Sequence, residues 1–327
     1  MSREGAPRRV VATGFGDESK LSFELVRDVP RGADDVVVRV AAIGVNPVDF
    51  KRYTDQAYAS RRGDIHFPMP LGVEATGTVI EVGDDVVGPA GPIRVGDQVV
   101  MHRIDGAYGE QVTVAASSVL PKPGQVSWEQ AACLLLAGTT AAHALAAVAA
   151  RPGETVLVHA VSGSVGRAVA QLAHVDGIRV VGTTSGGHDD TLAAVGVTPI
   201  AYGPGLAERA RQSAPDGYAA AIDLVGTDEA VDVSLELVAD RRRIATVVAF
   251  DRAQRDGFLA LGGSSGQDAS GIAVRANARV RVLALAQAGL FHLDVVRFAF
   301  DDVRAAHELL GRGAHGHLVL TTDAITD

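Results

Sequence analysis

The apolar positions of this chain follow two rhythms, and the change comes near residue 122. Before it, short β-branched runs such as "DDVVVRVAAIGV", "ATGTVIEVGDDV", "GDQVVMH" and "GEQVTVAASSVL" are separated by Gly, Pro and Asp. Runs of that kind between turn formers predict a strand-rich, turn-rich module. After "PKPG" (121–124), continuous apolar strands alternate with helical segments. "SWEQAACLLLAGTTAAHALAAVA" reads as helix, "TVLVHA" (155–160) as a buried strand and "GRAVAQLAHV" as helix. "IRVVGTT" (178–184), "AAIDLVG" (220–226) and "RIATVVAF" (243–250) read as further strands, with helices over "DDTLAAVG" and "AVDVSLELVA". Strands that are apolar on both faces and alternate with helices predict a parallel, doubly wound α/β sheet. The closing stretch "HLDVVRFAFDDVRAAHELLGRGAHGHLVL" gives strand, helix, strand without that rhythm, and suits a return onto the first module.

The segment "TVLVHAVSGSVGRAVAQLA" (155–173) sets a turn of small residues between a strand and a helix. Gly163 and Gly166 have the spacing of the last two glycines of a dinucleotide fingerprint, and Val161 stands where the first would be. With Ser162, Ser164 and Val165 they form a candidate phosphate loop, because amides that open a helix favour an anion. The competing reading is a plain tight turn; a strand before, a helix after and a second strand at the right distance favour a nucleotide. An NAD site usually places Asp or Glu about 20 residues past the glycines. Counting from Gly163 reaches Thr183, in "GTTSGGH". Thr183, Thr184 and Ser185 can donate to a 2′-phosphate that a carboxylate would repel, so NADPH is the expected cofactor. Asp189 and Asp190 are read as caps of the following helix.

Composition narrows the classes. A chain of 327 residues is long enough for two domains, each with its own core. A formal charge of −9 without a dense basic run argues against nucleic acid as a partner. The most apolar stretch, 131–150, is interrupted by Gly138, two threonines and His143, so a buried helix is expected rather than a membrane span. The N-terminus carries no apolar core of signal-peptide length, and the single cysteine, Cys133, cannot form an internal disulfide. Both suit the cytoplasm. In its apolar helix Cys133 reads as a buried structural thiol.

Several motifs then occur in a familiar order: "GVNPVDFKR" (44–52), "PLGVEATGTVIEVG" (70–83), "VGDQV" (95–99), "GAYGEQVTV" (106–114), "LLAGTTAAHAL" (135–145), the "HAVSGSVG" loop and "AAHELLGRGAHGHLVL" (305–320). Together they resemble the medium-chain dehydrogenase/reductase superfamily, and within it the zinc-free quinone oxidoreductases and enone reductases. The resemblance implies a GroES-like, β-rich catalytic domain over 1–122 with a C-terminal return over 275–327, and a Rossmann NADPH-binding domain over 123–274. It also implies a homodimer, since relatives often pair through the outer edge of the sheet, here "RIATVVAF" and "GFLALGG" (257–263).

Zinc-dependent relatives carry a cysteine near position 46 and a histidine near 73; this chain has Asn46 and Val73 there. Glu74 alone is not a site, because catalytic zinc needs about three protein ligands. His315 and His317 share a strand face and read as a solvated strand end. No metal is therefore expected. Without a Lewis acid the substrate must be activated already, as a quinone or an α,β-unsaturated carbonyl compound is.

The resemblance also assigns roles. Asn46 would face the nicotinamide ribose or the substrate, its alternative being an Asx turn before Pro47. Lys51 would stabilise an enolate or supply a proton, its alternative being a solvated lysine on a polar turn. Tyr53 and Tyr58 are further proton-donor candidates in the adjoining loop. Asp49 is read as a brace, and Glu74 as a structural residue paired with a nearby base. Thr139 would meet the nicotinamide end, Tyr202 the adenosine phosphate, Arg312 a phosphate, and the backbone at Val248 and Phe250 the carboxamide. The final Gly-Lys of many relatives is Gly316-His317 here. Two other functions fit the same sequence: an enoyl-thioester reductase, and a non-catalytic NADPH-binding protein.

Overall fold

The computed structural model describes residues 5–26, 32–60, 63, 65–186, 189–262, 269–314 and 316–326. It divides into two compact units, Met1–Leu136 with His292–Asp327, and Ala137–Phe291. The unit boundaries fall later than the change of sequence rhythm, so that the helix Ala269–Gln287 belongs to the second unit.

The first unit is built on a seven-stranded sheet. Its main path runs Val119–Pro121, Gln98–His102, Glu74–Val82, Asp35–Val45, His317–Thr321, Val295–Ala299, and Gln111–Ala115 also pairs with Asp35–Val45. Asp35–Val45 is the hub because its valines and alanines are apolar on both faces, and nearly all of it is buried. The C-terminal strand joins it antiparallel, with Leu318 opposite Val45 and Leu320 opposite Ile43. A core of Val38, Val40, Ile43, Leu71, Met101, Tyr108, Phe300 and Leu320 fills this unit. The segment "NPVDFKRYT", where a polar turn is the alternative reading at Lys51 and a loop is expected from Tyr53, is the helix Pro47–Thr54, followed by Gln56–Ser60. Proline in its first turn costs no hydrogen bond, since that amide has no acceptor within the helix.

The second unit carries a six-stranded sheet in which every pairing is parallel. Numbered within the unit, the strands lie third, second, first, fourth, fifth, sixth, the order of a doubly wound dinucleotide-binding sheet. The crevice at the reversal of that order lies at the C-terminal ends of Thr155–His159 and Ala220–Asp223. One strand–helix pair, Val197–Ala201 and Leu206–Ser213, escaped the sequence reading: "VTPIA" is short and carries a proline. The expected strand 243–250 is only Ile244–Thr246; Phe250 already opens a helix. The apolar stretch Trp128–Ala147 is divided at Ala132 and Cys133, and 67% of its apolar window is buried, as in a core helix.

Candidate functional site

In the second unit, the strand Thr155–His159 passes into the helix Ser164–Val175 through Ala160–Gly163. Gly163 is the N-cap, and its carbonyl accepts from Arg167 N at 2.8 Å. The amides of Ser164, Val165 and Gly166 precede any possible intrahelical acceptor and face outward as donors. The two glycines serve different ends. A Cβ on Gly166 would lie 2.4 Å from Ala160 O and 2.6 Å from Val161 Cα, so the helix can approach the strand only without one. A Cβ on Gly163 would meet only Ala160 O, at 3.5 Å. The fold tolerates a side chain there; a pyrophosphate lying over the loop would not. These residues fit a dinucleotide. So does Thr139, which is fully buried in the helix Leu134–Ala147 with its hydroxyl lacking a hydrogen-bond partner.

The adenosine end differs in detail from the sequence reading. Thr183 and Thr184 are buried, and Thr183 Oγ1 accepts from Ala160 N at 2.9 Å while its carbonyl accepts from Val161 N. Thr183 therefore braces the phosphate loop. Ser185 is exposed and Tyr202 is 60% exposed, and Tyr202 N donates to Thr184 O at 3.3 Å, which holds the two loops side by side.

Sequence reasoning missed Asp223. Its Oδ1 accepts from the amides of Val225 and Gly226, and its Oδ2 from the Thr246 hydroxyl at 2.7 Å. Thr246 in turn accepts from Val248 N and Ala249 N. One buried carboxylate thus shapes both loops beside the crevice, and Val248 packs over Gly226 (φ +78°). The signal was "DLVG", an Asp at a strand end three residues before a glycine.

In the first unit, Asn46 is 2% exposed and caps the helix Pro47–Thr54. Its amide donates inward, to Glu74 Oε1 at 3.0 Å and to Gly44 O at 3.3 Å. Glu74 Oε2 accepts from Leu136 N at 2.8 Å. Burial pushes the Glu74 carboxyl up to about 8, against the hydrogen bonds from Leu136 and Asn46. The base expected beside Glu74 is His317, whose Nε2 lies 3.9 Å from Oε1. His317 is not a solvated strand end: it is 4% exposed, because its side chain turns to the core face of the sheet. Its neighbour His315 lies outside the described residues.

Tyr53 is displaced from its expected role. It is fully buried, with its hydroxyl 3.0 Å from His307 Nδ1. His307 Nε2 lies 3.0 Å from the Tyr108 hydroxyl, which reaches Asp49 Oδ2 at 3.3 Å. Burial lowers His307 to about 4 and raises Asp49 to about 7 and both tyrosines above their ordinary value. One proton order satisfies all three contacts: Tyr53 donates to Nδ1, Nε2–H to the Tyr108 oxygen, and Tyr108 to Asp49. Asp49 Oδ2 also accepts from Asn46 N at 3.0 Å, so Asp49 braces the helix start.

Lys51 and Tyr58 are brought together, the ammonium lying 5.7 Å from the ring centre, and both are partly exposed. Arg312 ends the helix Val303–Arg312 in the first unit and is ion-paired with Glu308. Cys133 is fully buried, and burial raises its thiol. Among the described residues no three His, Cys, Asp or Glu side chains are grouped to hold a metal.

Residues 32–124 match the family described as the alcohol dehydrogenase GroES-like domain. Over 238 residues the chain is 31% identical to quinone oxidoreductase of Rattus norvegicus, covering 71% of this chain and 66% of that one. The crystal structure of a Pseudomonas syringae pv. tomato quinone oxidoreductase superposes with a TM-score of 0.80 at 27% identity, over 96% of this chain and 99% of that one. The chain belongs to the medium-chain dehydrogenase/reductase superfamily. A GroES-like sheet domain with a parallel doubly wound sheet is the architecture of that superfamily, so fold and sequence agree. The synaptic vesicle membrane protein VAT-1 homolog of Mus musculus is also similar, 35% identical over 204 residues, 60% of this chain and 47% of that one. The chain spans about half the length of the first curated relatives it matches.

Proposed function

We propose that this protein is a cytoplasmic NADPH-dependent oxidoreductase that reduces a quinone or an α,β-unsaturated carbonyl compound without a catalytic zinc. The observation that carries this reading is the Gly163 loop: a helix start with open amides, a glycine the fold does not itself require, and no carboxylate at Thr183–Ser185. A reduced nicotinamide, when bound, supplies the hydride. The protein's part is binding, orientation and charge stabilisation. The amides of Ser164, Val165 and Gly166 hold the pyrophosphate, and Ser185 and Tyr202 meet the 2′-phosphate. Thr139 would offer its unpaired hydroxyl to the nicotinamide end. Lys51 stabilises the negative charge that develops on a substrate oxygen, and Tyr58 flanks it.

Val73 and Asn46, where zinc-dependent relatives place ligands, direct the reading toward substrates that need no Lewis acid. Loss of NADPH absorbance in the presence of a panel of quinones and enones tests the proposal, with acyl thioesters alongside. Turnover of thioesters alone would replace it with enoyl-thioester reduction. Binding of NADPH without turnover of any acceptor would leave a binding protein. NADH bound as tightly as NADPH would refute the cofactor assignment. Pairing of two copies through the edge strand Leu259–Ala260 belongs to the same proposal, and a monomer by light scattering at micromolar concentration would remove it.

A further inference from the structure

Asp223 and Thr246 stand opposite each other at the ends of two parallel strands beside the crevice of the second unit, and both are buried. Asp223 Oδ1 accepts from the amides of Val225 and Gly226, at 3.1 and 2.8 Å, and Oδ2 from the Thr246 hydroxyl at 2.7 Å. Having given its one proton to the carboxylate, the Thr246 oxygen can only accept. It takes the amides of Val248 and Ala249, at 3.0 and 2.9 Å. The amides on either side are used as well, Val247 N by Asp223 O and Phe250 N by Val248 O.

The direction of these amides fixes the direction of the carbonyls. In a planar trans peptide the C=O points opposite to the N–H, and the peptides of both loops are trans. Turning the amides of Val225 and Gly226 onto the buried carboxylate therefore turns the carbonyls of Leu224 and Val225 away from it. The Val248 amide, held by Thr246, turns the Val247 carbonyl out in the same way. None of these three carbonyls accepts a hydrogen bond from the described residues, and all three residues are at least partly exposed. The two loops keep their donors inside and show acceptors outside.

We propose that Asp223 is a positioning residue that, with Thr246, fixes this wall as a row of hydrogen-bond acceptors, so that the site takes a ligand group bearing N–H donors and rejects a carboxylate. The inference rests on the reading that a nicotinamide dinucleotide occupies the crevice with its ring at these loops; the donor is then the carboxamide NH2. A carboxylate in its place would face carbonyl oxygens with no proton between them, and an acetyl group would lose the donor without adding charge. Asparagine cannot replace Asp223. In either orientation its NH2 meets amides that only donate, or a hydroxyl oxygen that already accepts two N–H groups.

The experiment titrates the full chain with three oxidised dinucleotides that differ only in the group on the pyridine ring: NADP with its carboxamide, the acetylpyridine analogue and the nicotinic acid analogue. The wild type should bind the acetylpyridine analogue about tenfold more weakly than NADP, and the nicotinic acid analogue more weakly still. Thr246→Val removes the hydroxyl and frees two amides, and should bring the three ligands close together. Asp223→Asn should narrow the spread as well, whereas Thr246→Ser, which keeps the hydroxyl, should preserve it. Equal binding of all three by the wild type, or a spread unchanged in Thr246→Val, overturns the proposal. A variant that does not fold leaves the wild-type ranking to decide. If none of the three binds, the functional reading fails, and hydrogen exchange on the unliganded chain decides this one. The amides of Val225, Gly226, Val248 and Ala249 should be protected in the wild type, with Val248 and Ala249 exposed in Thr246→Val; rapid exchange of all four in the wild type overturns the proposal.

Discussion

Val161 and Gly182 share one space: a Cβ on Gly182 would stand 2.4 Å from Val161 Cγ1 and 2.6 Å from its Cβ. This explains why the dinucleotide fingerprint lacks its first glycine. The valine fills room left by a glycine on the neighbouring strand, and the loop keeps its course with Ala160 at φ +58°. Gly182→Ala should destabilise the second unit by about 2–3 kcal/mol through overpacking. Val161→Ala alone should cost about 1–2 kcal/mol for the lost volume. The double variant should recover much of the Gly182→Ala loss, which urea denaturation in a double-mutant cycle would show. Strictly additive losses would mean the two residues do not share the space.

Gly163 and Gly166 should separate binding from folding. Gly163→Ala should leave the melting temperature nearly unchanged and weaken NADPH at least tenfold, because in the protein alone its Cβ makes only an ordinary contact, 3.5 Å from Ala160 O. Gly166→Ala should unfold easily, with about 2–4 kcal/mol lost to the clash with Ala160 and Val161. Paired thermal melts and cofactor titrations check both. Unimpaired NADPH binding in Gly163→Ala would move the cofactor away from this loop.

Lys51→Ala should lower enone turnover about a hundredfold, roughly 3 kcal/mol, with NADPH affinity held within a factor of about two. Lys51→Met keeps most of the stem against Tyr58 and should be equally slow, since charge and not packing is lost. Quinones should suffer less, because their reduction depends less on one placed charge. Wild-type enone rates in both variants would make Lys51 a surface residue, and Tyr58 the next candidate.

Stability against pH should differ between the units. In the first, Asp49 and Glu74 are raised from 3.8 and 4.5 to about 7 and 8, and His307 and His317 are lowered from 6.5 to about 4. Between roughly pH 4.5 and 6.5 the native carboxyls hold two protons the unfolded chain has lost, while the unfolded histidines hold two that the native ones refuse; the effects cancel. Above 6.5 only the raised carboxyls remain, and their stabilisation is lost as pH passes 7 and 8, about 2–3 kcal/mol in all. In the second unit His159, lowered to about 4 by burial, should instead cost stability as pH falls below 6.5. The one tryptophan, Trp128, reports the first unit. Its urea midpoint should stay flat from about pH 5 to 6.5 and drop by pH 8.5; a rise over that last interval would contradict the burial of Asp49 and Glu74.

The sequence showed most where chemistry is local. Strand and helix periods and the tight turn at Gly163–Gly166 were legible because neighbours within a few residues decide them. The partners of Tyr53, Glu74 and Thr183 were not. His307 reaches Tyr53 across 254 positions, and His317 and Glu74 meet only because the C-terminal strand pairs with Asp35–Val45. Thr183 has the right residue type for a phosphate contact, but the inward pleat of its strand turns the hydroxyl to Ala160. Asp223 was passed over because a lone acid at a strand end carries no period.

That C-terminal strand also sets an order of assembly during synthesis. The second unit is one uninterrupted stretch of chain, 137–291, so all of it leaves the ribosome before the first unit can close. Ala42–Val45 meet their partners Leu318–Thr321 only when roughly 270 further residues have been made, on the order of tens of seconds later. Until then one half-edge of the hub strand stands open in the nascent chain, apolar and unpaired. The inserted unit can finish folding first, and the unit that begins the chain finishes last.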